Sequence, residues 1–183
     1  MTVNDKEQEI EAKYRLTCAI DSTMEKLVRL GAIYKEVIGE EDTYFQHPCR
    51  DFSETDEALR IRRMMSGGLE KWVLTYKGPR QMIGEVKIRE EIETELPDPE
   101  KFRRILEKLG FVKVATIAKK RFVYSYDECE ILIDHVSGLG MFLEIECKER
   151  SKIDEIRKSL CNCLEPVHKT YLELCMEKGG GCG

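Results

Sequence analysis

The side chains that alternate with apolar residues along this chain are the ones equipped for chemistry. Ile10, Ala12, Tyr14 and Leu16 take one set of alternate positions, and Glu9, Glu11, Lys13 and Arg15 take the other. Leu59 and Ile61 oppose Arg60 and Arg62, and Trp72, Leu74 and Tyr76 oppose Val73, Thr75 and Lys77. Val86 and Ile88 oppose Glu85, Lys87 and Arg89, while Phe122 and Tyr124 oppose Lys119 and Arg121. Leu143, Ile145 and Cys147 oppose Glu144, Glu146 and Lys148. A period of two is that of a β-strand, so each segment presents one apolar and one ionic face. For a single strand the simplest reading is an ionic face turned to water. Six strands with one design argue otherwise, because these faces are almost purely ionic and sorted, with acids toward both ends of the chain and bases between. If about eight antiparallel strands close into a barrel with helices outside, the apolar faces meet the helices and the ionic faces line a charged tunnel.

The inward set then holds eight bases: Lys13, Arg60, Arg62, Lys77, Lys87, Arg89, Lys119 and Arg121. Its acids are Glu9, Glu11, Glu85, Asp134, Glu144 and Glu146. Cations crowded within roughly 10 Å repel by on the order of 1 to 2 kcal/mol per pair, so a polyanionic guest is expected. Guanidinium forks and ammonium groups suit phosphate oxygens, and a triphosphate, with about four negative charges, is the natural guest. Carboxylates beside phosphates call for a divalent ion, and hard Mg²⁺ or Mn²⁺ is held by one or two carboxylates plus phosphate oxygens. Glu9 and Glu11, two apart on one strand, could share such an ion with Glu144 and Glu146.

The elements that must position these groups are strands near 7–16, 33–46, 58–64, 71–77, 83–94, 112–126, 129–135 and 141–148, joined by short or Gly/Pro/Ser/Asp-bearing connections. Helices are expected at 98–109, where Asp98-Pro99-Glu100 caps and starts one, and at 22–30, behind a Ser22-x-x-Glu25 capping box. Two more are expected at 151–164 and 169–178. The fold class is therefore α+β, a closed eight-stranded antiparallel barrel with helices packed outside. The 183 residues suit a single domain over 1–178, followed by a loose glycine-rich tail over 179–183.

A formal charge of −5 argues against a nucleic-acid partner gripped by net positive charge. The longest stretch free of Asp, Glu, Lys and Arg, His135 to Leu143, falls far short of the roughly 18 apolar residues of a membrane helix. The acidic start, Met1 to Glu11, lacks the basic and apolar regions of a signal peptide, and the expectation is a cytoplasmic protein whose eight cysteines are thiols. Cys161, Cys163, His168, Cys175 and Cys182 have no spacing that matches a zinc site.

Glu9-Ile10-Glu11-Ala12-Lys13 resembles the ExExK signature of the CYTH superfamily, the triphosphate tunnel metalloenzymes. It is joined in order by Asp42-Thr43-Tyr44-Phe45, Glu57-Ala58-Leu59-Arg60-Ile61-Arg62, Leu74-Thr75-Tyr76-Lys77-Gly78-Pro79, Lys119-x-Arg121 and the run from Asp134 through Gly138, Gly140 and Phe142 to Glu146. The resemblance covers residues 5–165 and is strongest to class IV adenylyl cyclase-like members. It implies that Glu9, Glu11 and Glu146 ligate a catalytic Mg²⁺ or Mn²⁺, with Glu144 and Asp134 beside them or serving a second metal. It also implies that the eight bases cradle the phosphates, Lys87 and Arg89 on the loosest motif, and that Lys13 belongs to the catalytic set with Glu9, Glu11, Asp134 and Glu146. The implied activity is conversion of ATP to cyclic AMP and pyrophosphate. The runner-up is a metal-dependent triphosphatase acting on inorganic, thiamine or nucleoside triphosphate. A non-catalytic nucleotide- or polyphosphate-binding module comes third. The expected partners are a nucleoside or inorganic triphosphate, with no nucleic acid and no membrane, and a homodimer is compatible with the sequence.

The remaining eye-catching residues read as structural. His47 precedes Pro48 in a loop, and His135 has the opposite parity from Asp134. Gly138 and Gly140 lack the helix and lysine of a phosphate loop and suit a tight hairpin. Trp72 and Tyr76 fall on the outward, helix-facing side.

Overall fold

A computed structural model describes residues 8–183; position 7 of the first expected strand lies outside that range. In chain order the elements are β1 (Gln8–Leu16), α1 (Ile20–Leu30), β2 (Ile33–Gln46), α2 (Phe52–Thr55), β3 (Ala58–Ser66), β4 (Leu69–Lys77), β5 (Gln81–Ile83), β6 (Val86–Glu95), α3 (Pro99–Lys108), β7 (Val112–Tyr126), β8 (Cys129–Val136), β9 (Gly140–Cys147), α4 (Arg150–Ser159), β10 (Leu164–Pro166) and α5 (Tyr171–Glu177). Eight strands close into an antiparallel barrel in the order β1-β9-β8-β7-β2-β3-β4-β6, and β6 returns to β1 through Glu9↔Arg89 and Glu11↔Lys87. β5 and β10 are short additions at the edges of β6 and β1.

The period-two pattern sorts as expected. Ala12, Tyr14, Ile131, Ile133, Leu143 and Ile145 leave the barrel outward and pack with Leu27 of α1 and Ile153 and Ile156 of α4. On the other side Phe45, Ile61 and Leu96 receive Leu106 of α3, with Trp72 and Leu74 against them. α3 begins as its sequence dictates: Asp98 accepts from the Lys101 amide at 3.0 Å and Pro99 occupies the first turn, where it forfeits no helical bond. α1 starts two residues before the Ser22 box, at Ile20, and ends on Gly31 at φ 98°, a backbone angle that glycine tolerates best. Among the described residues no helix is long and apolar enough to cross a membrane.

Four expectations are corrected. The helix expected over 151–164 stops at Ser159, and the chain turns through Cys161–Cys163 so that Leu164–Pro166 can pair with the free edge of β1. Glu85 is not in the barrel: Gly84 turns the chain at φ 64° just ahead of β6, and Glu85 sits on the outside, accepting from Tyr14 at 3.2 Å and Arg157 at 2.8 Å. The cysteines are not all thiols, since Cys18–Cys163, Cys129–Cys147 and Cys175–Cys182 are disulfides and Cys49 is free and exposed. The segment from Gly179, expected to be loose, carries Cys182 into a bridge with Ile117, and Cys182 is buried there.

Candidate active site

Strand register stacks the barrel interior in layers. At one end Tyr44, Ile117, Val136 and Phe142, from β2, β7, β8 and β9, meet Tyr171 and Cys175 of α5 in an apolar plug. Thr170 and Glu173 form a reciprocal capping box that starts α5 there, and Arg80 clamps Glu173 through two hydrogen bonds of 2.9 and 2.6 Å. The Tyr171 ring lies 3.8 Å from the Lys13 ammonium, and its hydroxyl donates to Asp134 at 3.0 Å. The sequence reading missed Tyr171, and only its place in a capped C-terminal helix could have drawn notice.

The next layer is ionic. Every expected base lies there and is at least largely buried, but the layer is not a set of mutually repelling cations. Lys13 pairs with Glu144 at 3.1 Å, Arg60 with Asp42 and Glu91 at 3.4 Å, and Arg62 with Asp42 at 2.6 Å and Glu40 at 3.2 Å. Lys77 holds both Glu9 oxygens at 2.8 and 2.9 Å, and Lys87 pairs with Glu11. Lys119 reaches Glu40 at 3.0 Å and Asp134 at 3.5 Å, while Arg121 grips both oxygens of Asp134, at 2.7 and 2.6 Å, and also Glu144. Arg89 alone of the eight meets no carboxylate among the described residues; it donates to the Gly78 and Asp56 carbonyls. Glu40, Asp42 and Glu91, which supply much of the neutralisation, were not among the acids read as inward from the sequence.

Electrostatic neighbours set the protonation states. Burial pushes Glu40 upward, but Lys119 and Arg62 outweigh it and hold the carboxyl at about 2. Burial likewise opposes ionisation of Asp42, which Arg62 and Arg60 keep well below the usual carboxylate range. Glu144 is depressed by Lys13 and Arg121 against its own burial. Burial pushes the Lys87 ammonium and the Arg89 guanidinium down. Because Glu40 ionises near 2 in the fold and near 4.5 when unfolded, the stability it contributes is present above pH 4.5 and is lost as pH falls toward 2. The melting temperature should therefore drop steeply across that window, and Glu40→Gln should start lower at neutral pH and show a shallower acid limb.

The third layer is divided. Glu9, Glu11 and Glu146, from β1 and β9, bring one carboxylate oxygen each to within 4.8 Å of one another, a grouping that could hold a metal ion. Burial, then the Glu9 charge, pushes Glu146 up to about 7, whereas Lys77 and Lys87 hold Glu9 low despite its burial. Glu146 has no ion-pair partner among the described residues, whereas Lys77 and Lys87 pair with Glu9 and Glu11, so it is Glu146 whose charge the chain leaves without a cation. The structure does not bring Asp134 or Glu144 into the cluster: Asp134 is completely buried, spent on Arg121, Lys119 and Tyr171, and Glu144 is spent on Lys13 and Arg121. The whole interior forms one cavity of about 800 Å³, within the roughly 300–1,000 Å³ typical of small-molecule sites.

The residues read as structural are occupied elsewhere. His47 accepts from the Cys49 amide at 3.1 Å and packs on Phe52 and Phe111, and Tyr76 donates to Glu57. Cys163 and Cys175, whose spacing matches no zinc site, are disulfide-bonded to Cys18 and Cys182.

A family model described as CYTH domain matches residues 7–169. A Methanocaldococcus jannaschii protein provisionally named an adenylate cyclase is 40% identical over 178 residues, which are 91% of this chain and 97% of that protein. Adenylate cyclase CyaB of Aeromonas hydrophila is 30% identical over 147 residues, 75% of this chain and 67% of that one. Among solved structures, the PH1819 protein of Pyrococcus horikoshii superposes with a TM-score of 0.77 at 37% identity, covering 92% of this chain and 99% of its own. HpAC1 of Hippeastrum, described as having a dominant triphosphatase activity, shares the fold at TM-score 0.69 and 22% identity, covering 93% and 96%.

Proposed function

The chain belongs to the CYTH family, and on that premise we propose that it is a class IV adenylyl cyclase-like enzyme that converts ATP to cyclic AMP and pyrophosphate, dependent on Mg²⁺ or Mn²⁺. One observation carries the reading: a carboxylate triad, Glu9, Glu11 and Glu146, of which Glu146 has no ion-pair partner among the described residues, opens onto a layer of buried Lys and Arg in a single cavity. Three hard oxygen donors, two held by exchangeable ammonium groups and the third, on Glu146, by none among the described residues, fit a divalent ion that also takes phosphate oxygens. Bound there, such an ion would lower the pKa of the attacking hydroxyl and draw charge from the phosphoryl oxygens.

The chain's own side chains do the rest. Lys77 and Lys87 are now bonded to Glu9 and Glu11. When those carboxylates serve a metal, the two ammonium groups lose their partners and become available to phosphate oxygens. Arg89, with no carboxylate to leave, is available from the start. Arg60 and Arg62 reach the same cavity and can share their forks between Asp42 and a phosphate. Held by these groups, the triphosphate is fixed in direction, and a ribose 3′-hydroxyl kept near the α-phosphorus gains the high effective molarity that lets it outcompete water. The pyrophosphate that leaves stays among the bases, which offset its growing charge.

The ionic layer contains nothing that demands a nucleoside, which favours triphosphate hydrolysis as the second reading. Purified protein with Mg²⁺ or Mn²⁺ should be given ATP, 3′-deoxy-ATP and inorganic triphosphate, and the products separated. The expected result is cyclic AMP and pyrophosphate in equal amounts from ATP, with the 3′-deoxy analogue bound but not turned over. Orthophosphate from inorganic triphosphate, with no cyclic nucleotide from ATP, would assign the hydrolase instead.

A further inference from the structure

Around the third layer the buried and half-buried carboxylates gather on one side of the wall. The contiguous strands β6, β1 and β9 carry Glu91 and Glu93, Glu9, and Glu146 into the cavity. On the other side β8, β7, β2 and β3 carry Leu132, Val123, Ile38 and Met64 into the cavity, with the exposed Glu130 and Glu36 two residues beyond Leu132 and Ile38. Each of these apolar residues follows an ionic one at the same parity: Leu132 lies two from Asp134, Val123 from Arg121, Ile38 from Glu40 and Met64 from Arg62. Leu132 pairs directly with Val123, while Ile38 pairs with Arg121 and Met64 with Glu40, so that Val123, Ile38 and Met64 follow one another as diagonal neighbours. The result is a continuous apolar strip across four neighbouring strands, inside a barrel whose middle layer is ionic.

The strip is not part of the packing that holds the fold. None of the four residues belongs to any of the three apolar clusters among the described residues. Leu132 is 2% exposed, but Ile38, Met64 and Val123 are only half-buried and face the cavity. Apolar surface left lining a cavity is stabilised when a ligand removes it from water. A molecule that fills this cavity must therefore be polar and anionic at one end and apolar at the other, with the join beside the carboxylate triad.

We propose that Ile38, Met64, Val123 and Leu132 seat the base of a nucleoside triphosphate, so that this strip selects a nucleotide over a bare polyphosphate chain. The proposal rests on the triphosphate reading above. A flat heteroaromatic ring offers the strip a face to lie on, and the triphosphate then runs from the triad into the ionic layer. An inorganic triphosphate would fill the ionic layer and leave the strip wet.

The test is calorimetric titration of ATP and of inorganic triphosphate, each with Mg²⁺, into the wild-type protein and into the double variant Met64→Gln/Val123→Thr, which keeps side-chain size while adding polar atoms. ATP should bind the wild type more tightly than inorganic triphosphate does. In the variant ATP should weaken by about tenfold while inorganic triphosphate stays within about twofold. Equal weakening of both ligands, or unchanged ATP affinity, would overturn the strip as a base site while leaving the triphosphate reading standing. Failure of both ligands to bind the wild type would overturn the triphosphate reading itself and the strip with it. Melting temperatures of the variants serve as the folding control. Met64→Gln alone, at a half-buried position, gives the same discrimination if the double variant does not fold.

Discussion

Glu146→Gln should reduce metal-dependent turnover by about 10³-fold or more, roughly 4 kcal/mol of transition-state stabilisation, and leave the protein at least as stable as before. The two halves of this expectation have one cause. Glu146 repels Glu9 and Glu144 and pairs with no cation among the described residues, so its charge is an expense to the metal-free fold. Neutralising it removes repulsion, and the amide occupies the same space. The same charge is what a divalent ion beside Glu9 and Glu11 requires. A melting temperature that holds or rises, together with lost turnover, is the expected pair of results. A variant that keeps more than about half of wild-type turnover at limiting Mg²⁺ would remove Glu146 from the metal site.

Arg121→Ala should behave in the opposite way and cost roughly 3 to 5 kcal/mol of stability, because it leaves buried charge without its partner. Arg121 holds both oxygens of the completely buried Asp134 and also meets Glu144. Lys119 and Tyr171 alone would then face Asp134, at 3.5 and 3.0 Å. Arg89→Ala is the matched control, since that guanidinium donates only to two backbone carbonyls and its removal strands no carboxylate. Its stability cost should be about 1 kcal/mol, while its effect on triphosphate affinity should be comparable to that of any other base in the layer. Chemical denaturation separates the two; equal losses in both variants would mean that the ion pairs of the ionic layer do not hold the barrel as described.

The parity of six strands was enough to read the barrel and the inward bases, because each of those strands has successive apolar outer positions that mark its outside. β2 hides its contribution. It carries charge on both faces, as at Glu40 and Glu41, and irregularities between Tyr34 and Glu36 and between Tyr44 and Phe45 break its pairing with β7. Glu40 and Asp42 thus gave no sign of which way they point, and with them went the neutralisation of the bases. Glu91 was missed at a similar place, where β6 passes from β1 and β5 to β4 and its outer residues, such as Ile92, are exposed. Glu85 shows the converse error: it shares parity with Lys87, but a turn at Gly84 intervenes, and parity has no meaning across a turn. Tyr171 and the disulfide partners lie far apart in sequence from what they touch, with Cys18 and Cys163 separated by 145 positions. Only the closed barrel brings them together.

Because Lys77 and Lys87 are tied to Glu9 and Glu11 in the metal-free protein, metal and triphosphate should bind cooperatively: each takes one partner of these pairs and frees the other for its companion. Titrating inorganic triphosphate into the protein with and without Mg²⁺ measures this directly. The account predicts affinity at least about tenfold higher with Mg²⁺, and loss of that advantage in Glu146→Gln. No binding at millimolar ligand under either condition, or the same affinity with and without the metal, would contradict it.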